Sequence, residues 1–355
     1  MQIGNKIISK DSRPYFIADI AANHDGSLER AYKLIELAKE AGADAAKFQN
    51  FKANTIVSRS GFAKMKQMSH QSDWKKSVYE VYEDASINED WTRKLKEKCD
   101  KIGIEYMTSP YDFESVDLVD EYVNVYKIGS GDITWLEILE YIAKKNKPVI
   151  IATGASDIND VDRAINTIDK FANDIVLMQC NTNYTASEKN FSYINLNVLK
   201  LYAERYPKCV LGLSDHTYGH STILGAIALG ARVFEKHFTD DNGREGPDHK
   251  FAMNPVTWKQ MVNASMNLYE ALGDGIKRIE KNEQESVIVQ QRAVYTIKAL
   301  KCGDIIRRED IYPLRPLKEG CIYPYDIGKI IGKKIICDVD EDMCLKWEMF
   351  ENDCR

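Results

Sequence analysis

The sequence predicts an α/β protein, a (β/α)8 TIM barrel followed by a small β-rich domain. Short continuous apolar runs recur along the first 240 residues, as expected for strands that are buried on both faces. Amphipathic helical patterns separate these runs, and the composition changes near residue 290. With 355 residues the chain can hold a barrel of about 250 residues and an appended domain.

Eight apolar runs predict the barrel strands. They are "FIADI" (16–20), "DAAKF" (44–48), "IEYM" (104–107), "NVYKI" (124–128), "PVIIAT" (148–153), "IVLMQC" (175–180), "CVLGL" (209–213) and "RVFEKH" (232–237). The pattern of 27–42 between the first two runs predicts a helix, with Ser27 as its N-cap and Gly42 as its stop. A doubly wound sheet is the alternative, although no GxGxxG motif follows the first run.

The remaining segments set the domain organisation. Segment 52–90 is too long for a simple crossover, and it is either a lid over a site or a surface loop. A charged stretch with glycines then precedes short β-rich pieces that are broken by Gly and Pro. We therefore predict a catalytic barrel over 1–272, a linker over 273–289 and a small domain over 290–355.

Composition excludes several classes of protein. The net charge of −6, with Lys and Glu interspersed, argues against nucleic-acid binding. Neither a signal-peptide pattern nor an apolar stretch of about 18 residues is present, which predicts a cytoplasmic protein. The eight cysteines have no CxxC spacing, so we expect reduced, mostly buried thiols rather than a zinc cage or disulfides.

Polar residues stand at the C-terminal end of every predicted strand, where barrels of this type carry their active sites. In chain order these are Asp19; Lys47 and Gln49; Ser109; Lys127 and Ser130; Thr153; Tyr184; Ser214 and His216; Glu235 and His237. Unpaired buried charges are costly, so such a set indicates a shared ligand or mutual pairing.

Two chemistries are indicated. His216 and His237 on adjacent strands are suitable ligands for a divalent cation, with Asp215 or Glu235 in support, although a satisfied core pair is the alternative. Lys127 and the "GSG" turn after it are suited to a phosphate. Lys127 could instead pair with a core acid, Lys47 could extend its amine to solvent, and His24 could cap a helix.

The motifs "FIADIAANHDG", "AGADAAKFQ", "YKIGSGD", "GLSDHT", "EKHFTD", "GPDH" and "RPLKEG" occur in this order between about residues 14 and 350. In these motifs the chain resembles the sialic acid synthases, which condense phosphoenolpyruvate with an N-acetylated amino sugar to form nonulosonic acids. The resemblance implies a barrel with a C-terminal antifreeze-like (SAF) domain, a domain-swapped homodimer and a divalent metal. The implied metal is manganese, with magnesium or cobalt as alternatives.

The resemblance also implies roles for individual residues. His216 and His237 would hold the metal, and Glu235, Lys127 and Asp19 would be catalytic. The implied substrate-binding residues are Lys47, Gln49, Ser109, Lys127, Ser130, Asp132, Tyr184, Ser214, Asp248 and, from the small domain of the partner chain, Arg315. Because the family usually has Glu at positions 19 and 132, the identity of the sugar is left open between N-acetylmannosamine and a 2,4-diacetamido hexose.

Three other functions remain as alternatives. A class I aldolase or lyase would use Lys127 as a Schiff base. A phosphoenolpyruvate synthase acting on pentose or tetrose phosphates would need a second phosphate site. A non-catalytic sugar-binding protein would not need the set of lysines, histidines and acids.

Overall fold

The computed structural model describes residues 1–65, 74–171, 173–185 and 187–351. The chain divides into two compact units, Met1–Gly273 and Asp274–Arg355. A short hairpin, β1 (Gln2–Ile3) and β2 (Lys6–Ile7), begins the first unit.

Eight parallel strands then form a nearly closed barrel. They are β3 (Tyr15–Asp19), β4 (Ala45–Asn50), β5 (Glu105–Pro110), β6 (Tyr126–Ile128), β7 (Val149–Ala152), β8 (Ile175–Cys180), β9 (Val210–Asp215) and β10 (Val233–His237). Their order is β5-β4-β3-β10-β9-β8-β7-β6, and β5 and β6 lie side by side at the remaining gap. Because β3 pairs with β10, the first and last strands are neighbours. The predicted barrel is confirmed and the doubly wound alternative is wrong.

The helices follow the strands as the sequence pattern predicts. They are α1 (Leu28–Glu40), α2 (Ala53–Ile56), α3 (Arg59–Lys64), α4 (Val78–Ala85), α5 (Glu89–Ile102), α6 (Phe113–Asp120), α7 (Leu136–Ala143), α8 (Ile158–Asp169), α9 (Val198–Arg205), α10 (Ser221–Ala228), α11 (Pro255–Leu272), α12 (Gln284–Gln290) and α13 (Ile327–Ile330). Ser27 caps α1 by accepting a hydrogen bond from the Arg30 amide. None of the described helices is both long enough and apolar enough to cross a membrane.

The barrel strands bury two different layers because successive side chains point to opposite faces. Outward residues such as Phe16, Leu213 and Phe234 pack against the helices. Inward residues such as Ile17 and Val233 fill the barrel interior. At the C-terminal ends the inward positions become polar, which places the candidate site residues on a packed floor.

The described part of the second unit contains one pair of short strands. Strands β11 (Ala293–Thr296) and β12 (Ile311–Leu314) pair antiparallel, and isolated bridges extend the pairing. Its own apolar core includes Val294, Ile322 and Leu345.

The expectation about cysteines is wrong for one pair. The sulfur atoms of Cys321 and Cys344 are 2.23 Å apart and form a disulfide. The antiparallel bridges of the second unit bring together two cysteines that are 23 positions apart, which spacing alone does not reveal. Among the other described cysteines, Cys99, Cys180 and Cys209 are buried thiols, and Cys302 and Cys337 are exposed thiols.

Candidate active site

The polar inward side chains converge on a cavity of about 490 Å³ at the C-terminal end of the barrel. Thirteen of the predicted site residues line it: Asp19, Lys47, Gln49, Ser109, Lys127, Ser130, Asp132, Tyr184, Ser214, His216, Glu235, His237 and Asp248. Strand register explains the convergence, because Asp19 lies beside both Lys47 and His237 in the sheet.

Two further predicted residues are not among these thirteen. Thr153 does not line the cavity, because its hydroxyl bonds to the carbonyl of Met178 and to Tyr202 of α9. Arg315 belongs to the second unit.

Two buried ion pairs form the floor of the cavity. Lys47 Nζ lies 2.6 Å from Asp19 Oδ2, and Lys127 Nζ lies 3.2 Å from Glu235 Oε1. Ser214 donates a hydrogen bond of 3.2 Å to the same Glu235 oxygen. Burial alone would raise the pKa of Glu235, but Lys127 and Lys47 outweigh it and lower that pKa to about 2. Glu235 is therefore an ionised carboxylate.

Several polar atoms of this floor are left without a protein partner. Within the described ranges, Glu235 Oε2, Ser109 Oγ and His237 Nδ1 are buried and accept or donate no hydrogen bond. Buried polar groups are rarely left unsatisfied. These atoms are therefore available to a ligand or to water.

The two imidazoles lie next to each other, with ring centroids 5.4 Å apart. His216 Nδ1 lies 2.8 Å from the carbonyl oxygen of Asn181, which can only accept, so Nδ1 carries the proton and Nε2 carries the lone pair. Burial lowers the pKa of both rings, that of His216 to about 4, and the neighbouring ring adds to this effect at His216. Both imidazoles are therefore neutral, as metal ligation requires.

The two predicted metal ligands lie near carboxylates. Across the described residues, no group of three His, Cys, Asp or Glu side chains is arranged to hold a metal. His237 Nε2 lies 3.8 Å from Asp19 Oδ2, and its unpartnered Nδ1 lies 3.9 Å from Asp248 Oδ2. Two neutral imidazoles alone would leave coordination positions open for water or substrate, and the metal stays a prediction.

Asp215 does not support these imidazoles, contrary to one of the two options in the sequence analysis. It points to the outer face of β9, where it accepts hydrogen bonds from Lys236, Thr217 and Thr222. This outward direction follows from the strand period, since Ser214 and His216 on either side line the cavity.

The turn that the sequence predicts to bind phosphate lies beside this floor. Ser130–Asp132 form one turn of 3-10 helix, and Ser130 Oγ accepts a 2.9 Å hydrogen bond from the amide of Gly154. Burial raises the pKa of Asp132 to about 6, although Lys127 opposes the shift.

One wall of the cavity was missed by the sequence analysis. It is apolar and aromatic, and it consists of Phe51, Ile56, Trp74, Val81, Tyr82, Ala85 and Tyr111. The Phe51 ring lies 5.5 Å from Tyr82 and 5.8 Å from Tyr111, measured between centroids. The aromatic residues scattered through segment 52–90 were the sequence feature that could have indicated this wall. Five residues of that segment, from Ile56 to Ala85, therefore line the cavity, while residues 66–73 lie outside the described residues.

Comparison with known proteins agrees with this geometry. Residues 34–277, which include the cavity-lining residues other than Asp19 and Ala22, match the NeuB family. The chain belongs to the NeuB family. NeuB-family relatives include the N,N'-diacetyllegionaminic acid synthases of Campylobacter jejuni and Legionella pneumophila, both 34% identical. These alignments cover 89% and 95% of this chain, and 95% and 94% of the respective relatives.

Solved structures show the same likeness. The spore coat polysaccharide biosynthesis protein SpsE of Bacillus subtilis is 29% identical with a TM-score of 0.66, and the alignment covers 99% of each chain. The N-acetylneuraminic acid synthetase of Leptospira borgpetersenii is 26% identical with a TM-score of 0.70, over 81% of this NeuB-family chain and 94% of that one.

Proposed function

We propose that this chain is a nonulosonic acid synthase. It condenses phosphoenolpyruvate with an N-acylated amino sugar and releases phosphate. The observation that carries the proposal is one cavity, in a NeuB-family barrel, that combines two buried lysines with two adjacent neutral imidazoles.

The lysine side of the cavity suits phosphoenolpyruvate. Lys47 and Lys127 supply positive charge, and the hydroxyls of Ser109, Ser130 and Ser214 supply hydrogen bonds. Charge-assisted hydrogen bonds of this kind are about twice as strong as neutral ones. Bound phosphoenolpyruvate offsets part of the positive charge of the two lysines, which Asp19 and Glu235 otherwise offset alone.

His216 and His237 are the residues that would hold a divalent cation, which we propose to be manganese, with magnesium or cobalt as alternatives. When bound, such an ion polarises the carbonyl of the open-chain sugar. The chain itself keeps both imidazoles neutral by burial and fixes the tautomer of His216 through Asn181.

The reaction needs one carbon–carbon bond and one molecule of water. C3 of phosphoenolpyruvate attacks the aldehyde carbon of the sugar, which leaves an alkoxide on the sugar and a cationic centre at C2. Water adds to C2 while ionised Glu235 orients it and accepts one proton, which the alkoxide finally takes up. Phosphate then leaves with cleavage of its C–O bond and takes the second proton from the C2 hydroxyl, which becomes the ketone. Lys127, 3.2 Å from Glu235, stabilises both the carboxylate and the phosphate.

We further propose an acceptor without a phosphate group. The described lining residues include four acids, Asp19, Asp132, Glu235 and Asp248, and Lys47 and Lys127 are the cations among them. Phosphoenolpyruvate occupies both lysines, so the described lining residues of the barrel leave no cation of their own for a second phosphate.

The aromatic wall favours one kind of unphosphorylated acceptor, a sugar that carries acylamino substituents. Its side chains are suited to the methyl groups of acylamino substituents. A 2,4-diacetamido hexose carries two such groups and N-acetylmannosamine carries one. We therefore propose the diacetamido sugar as the better acceptor.

Phosphate release tests these proposals. Purified protein is incubated with phosphoenolpyruvate and N-acetylmannosamine, its 6-phosphate or a 2,4-diacetamido hexose, with EDTA or with added Mn²⁺. We expect release with the diacetamido sugar, loss with EDTA and recovery with Mn²⁺. A preference for the 6-phosphate contradicts the proposed acceptor alone. No release with any sugar, or borohydride trapping of substrate on Lys127, contradicts the proposed reaction.

The second unit has a proposed role of its own. We propose that it is an antifreeze-like (SAF) domain, that the protein is a domain-swapped homodimer, and that the partner's Arg315 completes the sugar site. Size-exclusion chromatography with light scattering tests the dimer. In mixtures of Arg315→Ala chains with Lys127→Met chains, recovered activity supports complementation between chains, and its absence contradicts the swap.

A further inference from the structure

Two loops meet at the mouth of the cavity. One follows β3 and contributes Ala22, and the other follows β10 and contributes Pro247 and Asp248. Residues 241–250 of the second loop form neither helix nor strand, and His249 is the fully buried residue among them. The buried side chain of His249 thus attaches this loop, whose other residues are exposed or partly exposed, to the protein interior.

Both nitrogens of His249 are occupied. Nε2 lies 2.9 Å from Asp25 Oδ1, and Nδ1 lies 2.7 Å from Thr239 Oγ1. Because a carboxylate accepts, Nε2–H donates to Asp25, and the Thr239 hydroxyl donates to Nδ1. The ring therefore joins the loop after β3 to the loop after β10.

Other contacts fix the same junction. Asp25 Oδ2 also forms ion pairs with Arg30 Nε at 3.0 Å and with Arg244 Nη2 at 2.8 Å. A Cβ atom on Gly246 would lie 2.6 Å from Cδ2 of His249, so only glycine allows the loop to pass this close to the ring.

Asp248 depends on this junction for its position. Its Oδ2 accepts a 3.3 Å hydrogen bond from the amide of Ala22, and it lies 3.9 Å from His237 Nδ1. Asp248 is also joined through the backbone to His249, the next residue. A carboxylate on an exposed loop is thus held at a fixed distance from a predicted metal ligand.

We propose that Asp25 and His249 are positioning residues for the acceptor sugar and that they act through Asp248. This inference rests on the proposed function, because it assumes that Asp248 contacts the sugar. The Asp25–His249 pair itself touches neither substrate. Its role is to hold Asp248 against Ala22 at the mouth of the cavity.

A double-mutant cycle tests the coupling. We expect His249→Leu to raise the KM for the sugar about tenfold, with less than a twofold change in the KM for phosphoenolpyruvate. In an Asp248→Asn background, we expect the same change to add less than twofold, because Asp248 carries the effect. Independent, multiplying effects, or an equal rise in both KM values, would overturn the proposal.

Two further variants separate positioning from folding. His249→Gln retains an N–H donor for Asp25, and we expect it to recover most of the sugar KM. Gly246→Ala keeps every polar group but displaces the ring, and we expect it to behave like His249→Leu. The matched control is His220→Leu, since His220 is partly exposed and does not line the cavity. An effect of the control equal to that of His249→Leu would contradict the proposal.

A measurement without substrate keeps the test independent of the reaction. We expect His249→Leu to speed hydrogen exchange of the Ala22 amide at least tenfold, while amides of the barrel strands keep their rates. Unchanged exchange at Ala22 would overturn the proposed positioning even if the protein is a synthase. Faster exchange without turnover of any sugar would contradict only the proposed function.

Discussion

Strands β9 and β10 carry buried ions on both of their faces, and the two faces differ. On the outer face Lys236 pairs with Asp215, and both side chains are buried between strands and helices. On the inner face Glu235 pairs with Lys127 of β6 beside the cavity. Neighbouring residues of the same strand therefore form two ion pairs in different surroundings.

The outer pair is satisfied by the protein. Asp215 accepts from Lys236, Thr217 and Thr222, and Lys236 also donates to the carbonyl of Thr217 at 2.6 Å. Burial alone would raise the pKa of Asp215, but Lys236 and the hydroxyls outweigh it and lower that pKa. A closed network of this kind serves the fold.

The inner pair is not complete in itself. Glu235 Oε2 and His237 Nδ1 have no hydrogen-bond partner within the described residues, and the cavity beside them is roomy enough for a substrate. The contrast teaches that a buried ion pair indicates a functional site when some of its polar atoms remain unsatisfied beside a cavity. The following predictions test this difference.

The largest effect is expected on the inner face. Lys127→Met should lower kcat/KM for phosphoenolpyruvate about a thousandfold, because the phosphate and the developing charge lose a buried cation. Phosphate release measures the rate, and circular dichroism checks the fold. If turnover changes less than tenfold, the inner pair is structural and the contrast between the faces disappears.

On the outer face, removing one charge of the ion pair should lower the stability of the protein. Lys236→Met leaves Asp215 charged and uncompensated in the protein interior, so we expect the free energy of unfolding to fall by about 3–5 kcal/mol. Urea denaturation of both lysine variants gives the comparison. A smaller loss in Lys236→Met than in Lys127→Met would reverse our assignment of the two faces.

Removing both charges of the outer pair tests whether Lys236 and Asp215 act together. In Lys236→Met with Asp215→Leu, we expect a loss of only about 1–2 kcal/mol, because no charge is buried and only hydroxyl hydrogen bonds lack an acceptor. Denaturation of the two single variants and the double variant closes the cycle. Strictly additive losses would show that the two side chains do not act as a pair.

The smallest effect is expected at the aromatic wall. Tyr82→Phe removes one hydroxyl from the sugar side, and we expect the KM for the sugar to rise about fivefold, close to the worth of one hydrogen bond. The matched control is Tyr79→Phe in the same helix, whose ring lies under Arg59 and outside the cavity lining. Equal effects of the two changes would remove Tyr82 from the site.

Much of the site was predictable because its signal is local. An inward position at the end of a parallel barrel strand must face the common mouth, so Lys47, Lys127, Ser214 and Glu235 could be assigned from the strand pattern alone. The same rule wrongly predicted that Thr153 faces the cavity. Thr153 lies one residue beyond β7, and its hydroxyl bonds to Tyr202 instead. The roles assigned to these residues remain predictions.

Other features depend on contacts between distant segments. Asp25 and His249 are 224 positions apart, and each looks like an ordinary loop residue in the sequence. The Lys236–Asp215 pair, the Cys321–Cys344 disulfide and the wall formed by Trp74 and Tyr82 are likewise products of packing.

The sequence by itself determined the barrel and the end of it that carries the chemistry, because hydrophobic period and strand order are properties of the chain. Only the tertiary structure decided which ions pair on which face, which polar atoms stay unsatisfied and how the mouth is held. The physical reason is that hydrogen bonds and ion pairs depend on distances of about 3 Å, which a linear pattern does not specify.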